Sequence, residues 1–262
     1  MLRLVFLVLL LFLTNKAQEI ELGIGSAALI YPDYIGSKST QSLLIAYPYI
    51  SYKSDKLEIS RRGIRTKLFN MKDLELDLSV GGSLPADSSD NKQREGMPDL
   101  DLIFEIGPKL IYTFYNTSQD QFSFELPVRM VYSTDFRAFD SHGYIISPEF
   151  FYRHTFFDKL SFILSSAALY GSESYHEYFY QVDPQYVTPS RKAYNAKAGH
   201  GGLRNKLVLA YAQKCWRGGV YISHYYLNDA SFKNSPLVET KSATFMGMSL
   251  SYVFYTDDHF KF

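Results

Sequence analysis

The chain carries a single cysteine, Cys215, so no internal disulfide can staple it, although an oxidising compartment would permit one. It has no surplus of either charge. Its 27 Lys and Arg balance 27 Asp and Glu, so no basic excess draws it toward nucleic acid. Beyond the first residues it lacks any run of 18 apolar residues, which excludes a transmembrane helix there. It has one Trp, yet 22 Tyr and 20 Phe. A soluble core does not need so many Tyr. A membrane interface does, because the ring is apolar and the hydroxyl is wet.

The opening stretch, MLRLVFLVLLLFLTNKAQ, reads as a secretory signal. Arg3 supplies the positive region and Leu4 to Leu13 the apolar one, too short for a comfortable membrane span. Ala17 is a plausible last residue before cleavage, with Asn15 a poor fit two positions earlier; no Cys follows, which excludes a lipoprotein. The expected division is a signal peptide over 1–17 and one barrel domain over 18–262. An exported chain without a membrane helix can sit in lipid only as a closed barrel, the one other structure that satisfies every backbone polar group there.

Alternation is the dominant pattern. In DLELDLSV, Leu74, Leu76, Leu78 and Val80 take one face and Asp73, Glu75 and Asp77 the other. From Asp99 to Tyr115, the residues Leu100, Leu102, Phe104, Ile106, Leu110, Tyr112 and Phe114 oppose Asp99, Asp101, Glu105 and Lys109. From Gln121 to Asp135, Phe122 through Tyr132 oppose Glu125 and Arg129, and from Tyr144 to His154 the apolar set opposes Glu149 and Arg153. The first mature segment sets Ile20, Leu22 and Ile24 against Glu21, Gly23 and Gly25. Segments of about 10 residues suit a tilted membrane crossing, whereas strands of soluble sheets average about 5–6. A soluble β-sandwich would also alternate, with its polar face in water and fewer aromatics.

The fold expectation is all-β: a transmembrane antiparallel β-barrel of 10–12 strands, with 12 favoured because the number is normally even. About eleven segments are directly legible. A hidden reversal is expected near Gly63, or else in the long loop around Tyr178. Short turns at Ser54, Asn70, Asn116, Phe157 and Gln213 alternate with longer loops starting at Pro32, Leu84, Phe136, Ser172 and Asn228. Lipid takes the apolar face. The lumen takes Glu21, Asp73, Glu75, Asp77, Asp99, Asp101, Glu105, Glu125 and Glu149, with Lys109, Arg129, Arg153, Lys206 and Arg217. In so small a barrel these charges are expected to pair across the interior and oppose bulk flow.

The loops add a resemblance. PDYIGS (Pro32–Ser37), after a strand bearing Gly23 and Gly25, resembles the first-loop motif of the MipA/OmpV family of outer-membrane proteins. REGMPDL (Arg94–Leu100), YFYQV (Tyr178–Val182), NDASFKNSPLV (Asn228–Val238) and a strand ending in YVF at Phe254 resemble later family motifs, in order. The tail beyond Phe254 departs from the pattern, since Phe260 or Phe262 offers a second terminal aromatic. The resemblance implies a barrel in the outer membrane of a Gram-negative cell. For the name-giving member it implies a scaffold that holds a lytic murein transglycosylase near a murein synthase.

No residue is singled out as catalytic, cofactor-binding or metal-binding. Asp140, Ser141 and His142 contain triad residue types, but neighbours on an extended segment point opposite ways. His200 with Ser190 is the other such grouping. His154, His176, His224 and His259 show no metal spacing. Gly199–Gly202 precedes no helix, so it is no phosphate cradle. Asp87 and Asp90 lack Ca²⁺-loop spacing. Trp216 and the Tyr221–Tyr226 run fit a membrane girdle. Tyr175, Tyr178, Phe179, Tyr180 and Tyr186 either form an adhesive loop or pack over the barrel mouth. The leading reading is a non-enzymatic scaffold in contact with outer-membrane lipid and murein enzymes. A narrow channel and a lipid-active barrel enzyme are the alternatives.

Overall fold

In the computed structural model, which describes residues 19–54, 57–60 and 63–257, the alternating segments are strands of one antiparallel sheet. In order they are β1 (Glu19–Pro32), β2 (Thr40–Lys53), β3 (Leu57–Ser60), β4 (Gly63–Met71), β5 (Leu74–Ser83), β6 (Leu102–Asn116) and β7 (Asp120–Thr134). They continue as β8 (Phe139–Ile146), β9 (Glu149–Phe156), β10 (Leu160–Gly171), β11 (Gly199–Gln213), β12 (Trp216–Tyr226) and β13 (Ser242–Thr256). One helix, α1 (Glu173–Tyr180), lies between β10 and β11, capped by the Ser172 hydroxyl, which accepts from the Tyr175 amide. The expected signal peptide (1–17) and the terminal His259, Phe260 and Phe262 lie outside the described residues.

The sheet closes on itself, because β1 pairs with both β2 and β13 and β11 pairs with both β10 and β12. The thirteen strands take twelve places around the wall. β8 pairs with the upper half of β7 and β9 with its lower half, and both pair with β10, so they are two halves of one descending strand. The break falls at Ser147–Pro148, where proline has no N–H for the ladder. The expected reversal near Gly63 is present: Ser60 pairs with Gly63, and β3 turns back into β4.

The two faces separate as the alternation requires. On β10, Leu164 is 47% exposed outward while Ser165 and Ala167 are 3% and 2% exposed inward. The outer wall carries aromatic belts. Phe114 stacks on Phe122 at 4.9 Å and Phe122 on Phe150 at 6.1 Å near the short-turn end, where Trp216 also meets Tyr252 edge-on at 5.2 Å. Glu19 and Asp257, the first and last described residues, and the short turns lie at one end of the barrel, and the long loops at the other. The Phe136 loop is shorter than expected, since Phe139–His142 already belongs to β8.

One stretch of wall is incomplete. β3 has only four residues and pairs with β2 at Tyr52 and Lys53. Among the described residues, Thr40–Pro48 of β2 pairs with β1 alone, and Ser79–Ser83 of β5 with β6 alone. In an antiparallel strand alternate residues aim N–H and C=O to one side, so roughly eight backbone groups of β2 face this gap. Left dry in hydrocarbon each would cost several kcal/mol. Water therefore has to line the gap.

Candidate functional site

The interior is built in layers. At mid-barrel, inward charges pair along the wall. Arg129 of β7 lies 3.1 Å from Glu105 of β6, and its Nε donates to the Ser79 hydroxyl at 2.8 Å. A Cβ on Gly81 would come within 2.6 Å of the Glu105 carboxylate, so glycine there makes room for the pair. Lys109 meets Glu125 at 2.8 Å, and Arg204 of β11 meets Glu149 of β9 at 2.6 Å. Arg217 of β12 binds Glu21 of β1, which also accepts from the Tyr49 hydroxyl at 3.0 Å. Each of these pairs joins adjacent or next-adjacent strands. The expected pairing across the interior is thus corrected to pairing around the wall, because cross-strand neighbours are already within reach on a pleated face. Lys206 also faces inward, over the Tyr221 ring at 5.9 Å, and is exposed to the water of the lumen.

Three of the acids expected in the lumen are elsewhere. Asp73 is an exposed turn residue between β4 and β5, and Asp99 is exposed in the loop before β6. Asp101 precedes the strand, and its amide takes the Tyr178 hydroxyl as acceptor at 2.7 Å. Alternation simply ran on past the strand ends.

At the long-loop end the loops fold together into a cap around α1. Tyr180, 3% exposed, donates its hydroxyl to the Ile35 carbonyl at 2.9 Å and stacks on Phe232. Tyr34 donates to the Leu237 carbonyl at 2.7 Å, and Ser235 to the Tyr180 carbonyl at 2.8 Å. Two buried arginines clamp loop backbone. Arg94 reaches the Phe179 and Pro98 carbonyls, and Arg191 those of Tyr186, Gln93 and Glu95. The cap core includes Ile103 and Val131, inward residues at the tops of β6 and β7, so α1 packs into the mouth. Burial raises the Tyr175 phenol's pKa, with the Glu105 charge adding to it. Burial likewise pushes Tyr178 up to about 12 and Tyr180 well above the usual phenol range. The aromatic loop is therefore the lining of a plug, with an open cleft of about 580 Å³ left on its outer side beside His142, Glu177 and Tyr178.

The Ser and His groupings read from the sequence are not assembled. His142 Nε2 sits 2.8 Å from the Ser133 hydroxyl and its ring lies against Tyr178, away from a Ser141–Asp140 relay. Ser190 lies in the loop with its hydroxyl against Thr188, while His200 is in β11. His154 pairs with Asp120 at 2.8 Å near the short-turn end, and His224 with the Thr244 hydroxyl at 2.8 Å. Asp87 caps the short helical turn Ser88–Asp90. Among the described residues no three His, Cys, Asp or Glu side chains converge as a metal site would require. His176 was the group sequence reasoning undervalued. It is fully buried, its Nδ1 lies 2.7 Å from the Lys197 carbonyl and 3.2 Å from the Ser231 hydroxyl, and its Nε2 has no partner.

At the opposite end the rim is a set of tight turns. Phe157 and Asp158 both have positive φ, 51° and 56°, in a two-residue turn closed by the Lys159 amide on the Phe156 carbonyl. Phe157 stands 87% exposed at its tip.

No curated protein matches the chain in sequence. Among solved structures it is similar to the COG4313 outer membrane channel from Pseudomonas putida F1, at 9% identity over 89% of this chain and 96% of that one, with a TM-score of 0.49. It is also similar to OmpT, an outer membrane protein of Vibrio cholerae, at 7% identity over 92% and 99%, with a TM-score of 0.37. The NanC porin aligns at 7% identity over 88% and 98%, with a TM-score of 0.39. The family model described as MltA-interacting protein MipA matches residues 24–254. That span runs from β1 through β13, and the chain, an outer-membrane β-barrel, belongs to the MipA family.

Proposed function

We propose that this barrel is a non-enzymatic scaffold whose short-turn rim docks murein-remodelling enzymes on the periplasmic side. The family to which the chain belongs is described as MltA-interacting protein, and the resemblance read from the sequence implies a lytic murein transglycosylase and a murein synthase as the partner classes. The observation that carries the reading is Phe157. A large apolar ring held at positive φ on a tight turn and left almost wholly exposed is the kind of anchor that interfaces concentrate. The short turns mark that end as periplasmic by the general rule for such barrels.

The test is affinity capture with crosslinking from gently solubilised envelopes, comparing the wild type with Phe157→Ser. Recovery of a transglycosylase or synthase that is lost with Phe157→Ser supports the scaffold. A clean barrel with no murein enzyme overturns it. One observation favours a second reading, a narrow channel: Lys206 is inside the barrel yet water-exposed. Ion conductance changed by Lys206→Glu would support that reading.

A further inference from the structure

The break in the wall has chemistry on its lumen side. Inward positions of β2 are fixed by Tyr47, whose hydroxyl sits 2.9 Å from that of the buried Ser251, and by Tyr49 on Glu21. By alternation Leu43 and Ile45 face the same way. Opposite them on β1 are Leu29 and Ala27, in direct register. A Cβ on Gly247 of β13 would meet the Leu29 side chain at 2.7 Å, which places Leu29 inside as well. An apolar patch of Ala27, Leu29, Leu43 and Ile45 therefore lines the lumen beside the gap, above a layer of ion pairs.

Exposure is high on both faces of this segment. Leu44, outward, is 78% exposed, and Ile45, inward, is 39% exposed. Where β10 is closed on both sides, inward Ser165 and Ala167 fall to a few per cent. Both faces of β2 are accessible here because, among the described residues, no strand is hydrogen-bonded to its side away from β1. Upward exit is blocked by the cap, whose first loop joins β1 to β2 and ties Tyr34 to Leu237 and Tyr180 to Ile35.

We propose that the gap above the β3–β4 hairpin, between Thr40–Pro48 of β2 and Ser79–Ser83 of β5, is a lateral opening through which small apolar molecules pass between the outer leaflet and the lumen. The hydrated backbone edges keep it open to water. The patch of Ala27, Leu29, Leu43 and Ile45 gives an apolar solute a surface to leave the bilayer for. The plug forces the route sideways, and the ion pairs below it run around the wall, not across the lumen. This activity is independent of any docking at the rim.

The test has two arms. The mature protein carrying Cys215→Ser is refolded into bilayers containing brominated acyl chains, with a fluorophore on Ile45→Cys, Leu44→Cys or Ser165→Cys. The expected result is quenching at Ile45 close to that at outward Leu44 and several-fold above that at inward Ser165. Quenching at Ile45 no greater than at Ser165 overturns the opening. In cells, entry of N-phenylnaphthylamine across the outer membrane is compared between wild type and Ile45→Asp, with folding checked by heat-modifiable mobility. Several-fold slower entry for folded Ile45→Asp supports passage. Equal entry for the two, whatever the quenching, overturns it.

Discussion

The rings of Tyr180 and Phe232 lie 3.7 Å apart, centre to centre, and 7° from parallel, joining α1 to the loop between β12 and β13. Both residues are almost fully buried. Phe232→Ala removes one half of this stack and leaves a cavity in the cap, at a cost of about 3–5 kcal/mol to cap stability. The barrel ladder does not depend on it. Limited proteolysis should therefore cut within 172–198 much faster in the variant, while heat-modifiable mobility of the barrel is unchanged.

His176 makes the cap sensitive to acid. Burial holds its imidazole below the ordinary value of 6.5, the Lys197 carbonyl only partly opposing this. The surrounding groups are Tyr175, Tyr180, Phe232, Ser231 and the backbone at Gly171, none of them a carboxylate. A proton arriving at Nε2 would find no acceptor. Because the folded value lies below the unfolded one, the unfolded cap binds more protons in that window. The stabilisation is complete above about 6.5 and is lost as pH falls through it toward the folded value. Amide hydrogen exchange in α1 should speed up between pH 7.5 and pH 5, and His176→Gln should flatten that dependence.

Arg129 and Glu105 form a pair taken largely out of water, with side chains 16% and 11% exposed. Arg129→Met strands the carboxylate and is expected to cost about 3–5 kcal/mol. The double variant Arg129→Met with Glu105→Gln should recover most of that loss. Urea unfolding in lipid vesicles, followed by tryptophan fluorescence of Trp216, would measure both. Equal stability of the single and double variants would show that the two side chains do not act as a pair.

If α1 plugs the mouth, its removal should open it. Deleting 174–190 takes away Tyr175, Phe179 and Tyr180 from the cap core and its partly buried rim. Planar-bilayer conductance of the wild type should be far below that of a wide general porin, and the deletion should raise it several-fold. The barrel wall contributes no hydrogen bond through those residues to its own ladder, so the variant should still insert.

Most of the barrel was legible because lipid imposes a strict two-residue period. Glu105, Glu125, Glu149, Arg129 and Lys109 fall where alternation puts them, and the reversal before Gly63 explains the muddled stretch from Leu57 to Phe69. Alternation does not mark where a strand stops, which is why Asp73, Asp99 and Asp101 were placed one layer too deep. Arg204 shares the parity of Lys206 and so belongs to the lumen, a signal masked by the neighbouring Gly199–Gly202 run. The cap was least legible. Its contacts join Tyr34, Arg94, Tyr180 and Leu237 across up to 203 positions of sequence, and no local period encodes them. The broken β8–β9 crossing was marked only by Pro148.

The register of β1 on β13 sets Glu21 against Thr256 and Ile30 against Met246. Hairpin neighbours can zip as soon as they emerge, but this seam joins the two extremes of the chain and can form only once the last strand has been delivered. Until then the molecule is a curved ribbon with two adhesive margins, and neither the ladder nor the Glu21–Arg217 contact that crosses it is secured. Loss of the final fifteen-residue strand would not give a narrower cylinder. It would give a sheet with nowhere to end, and the cell would meet it as a substrate for quality control.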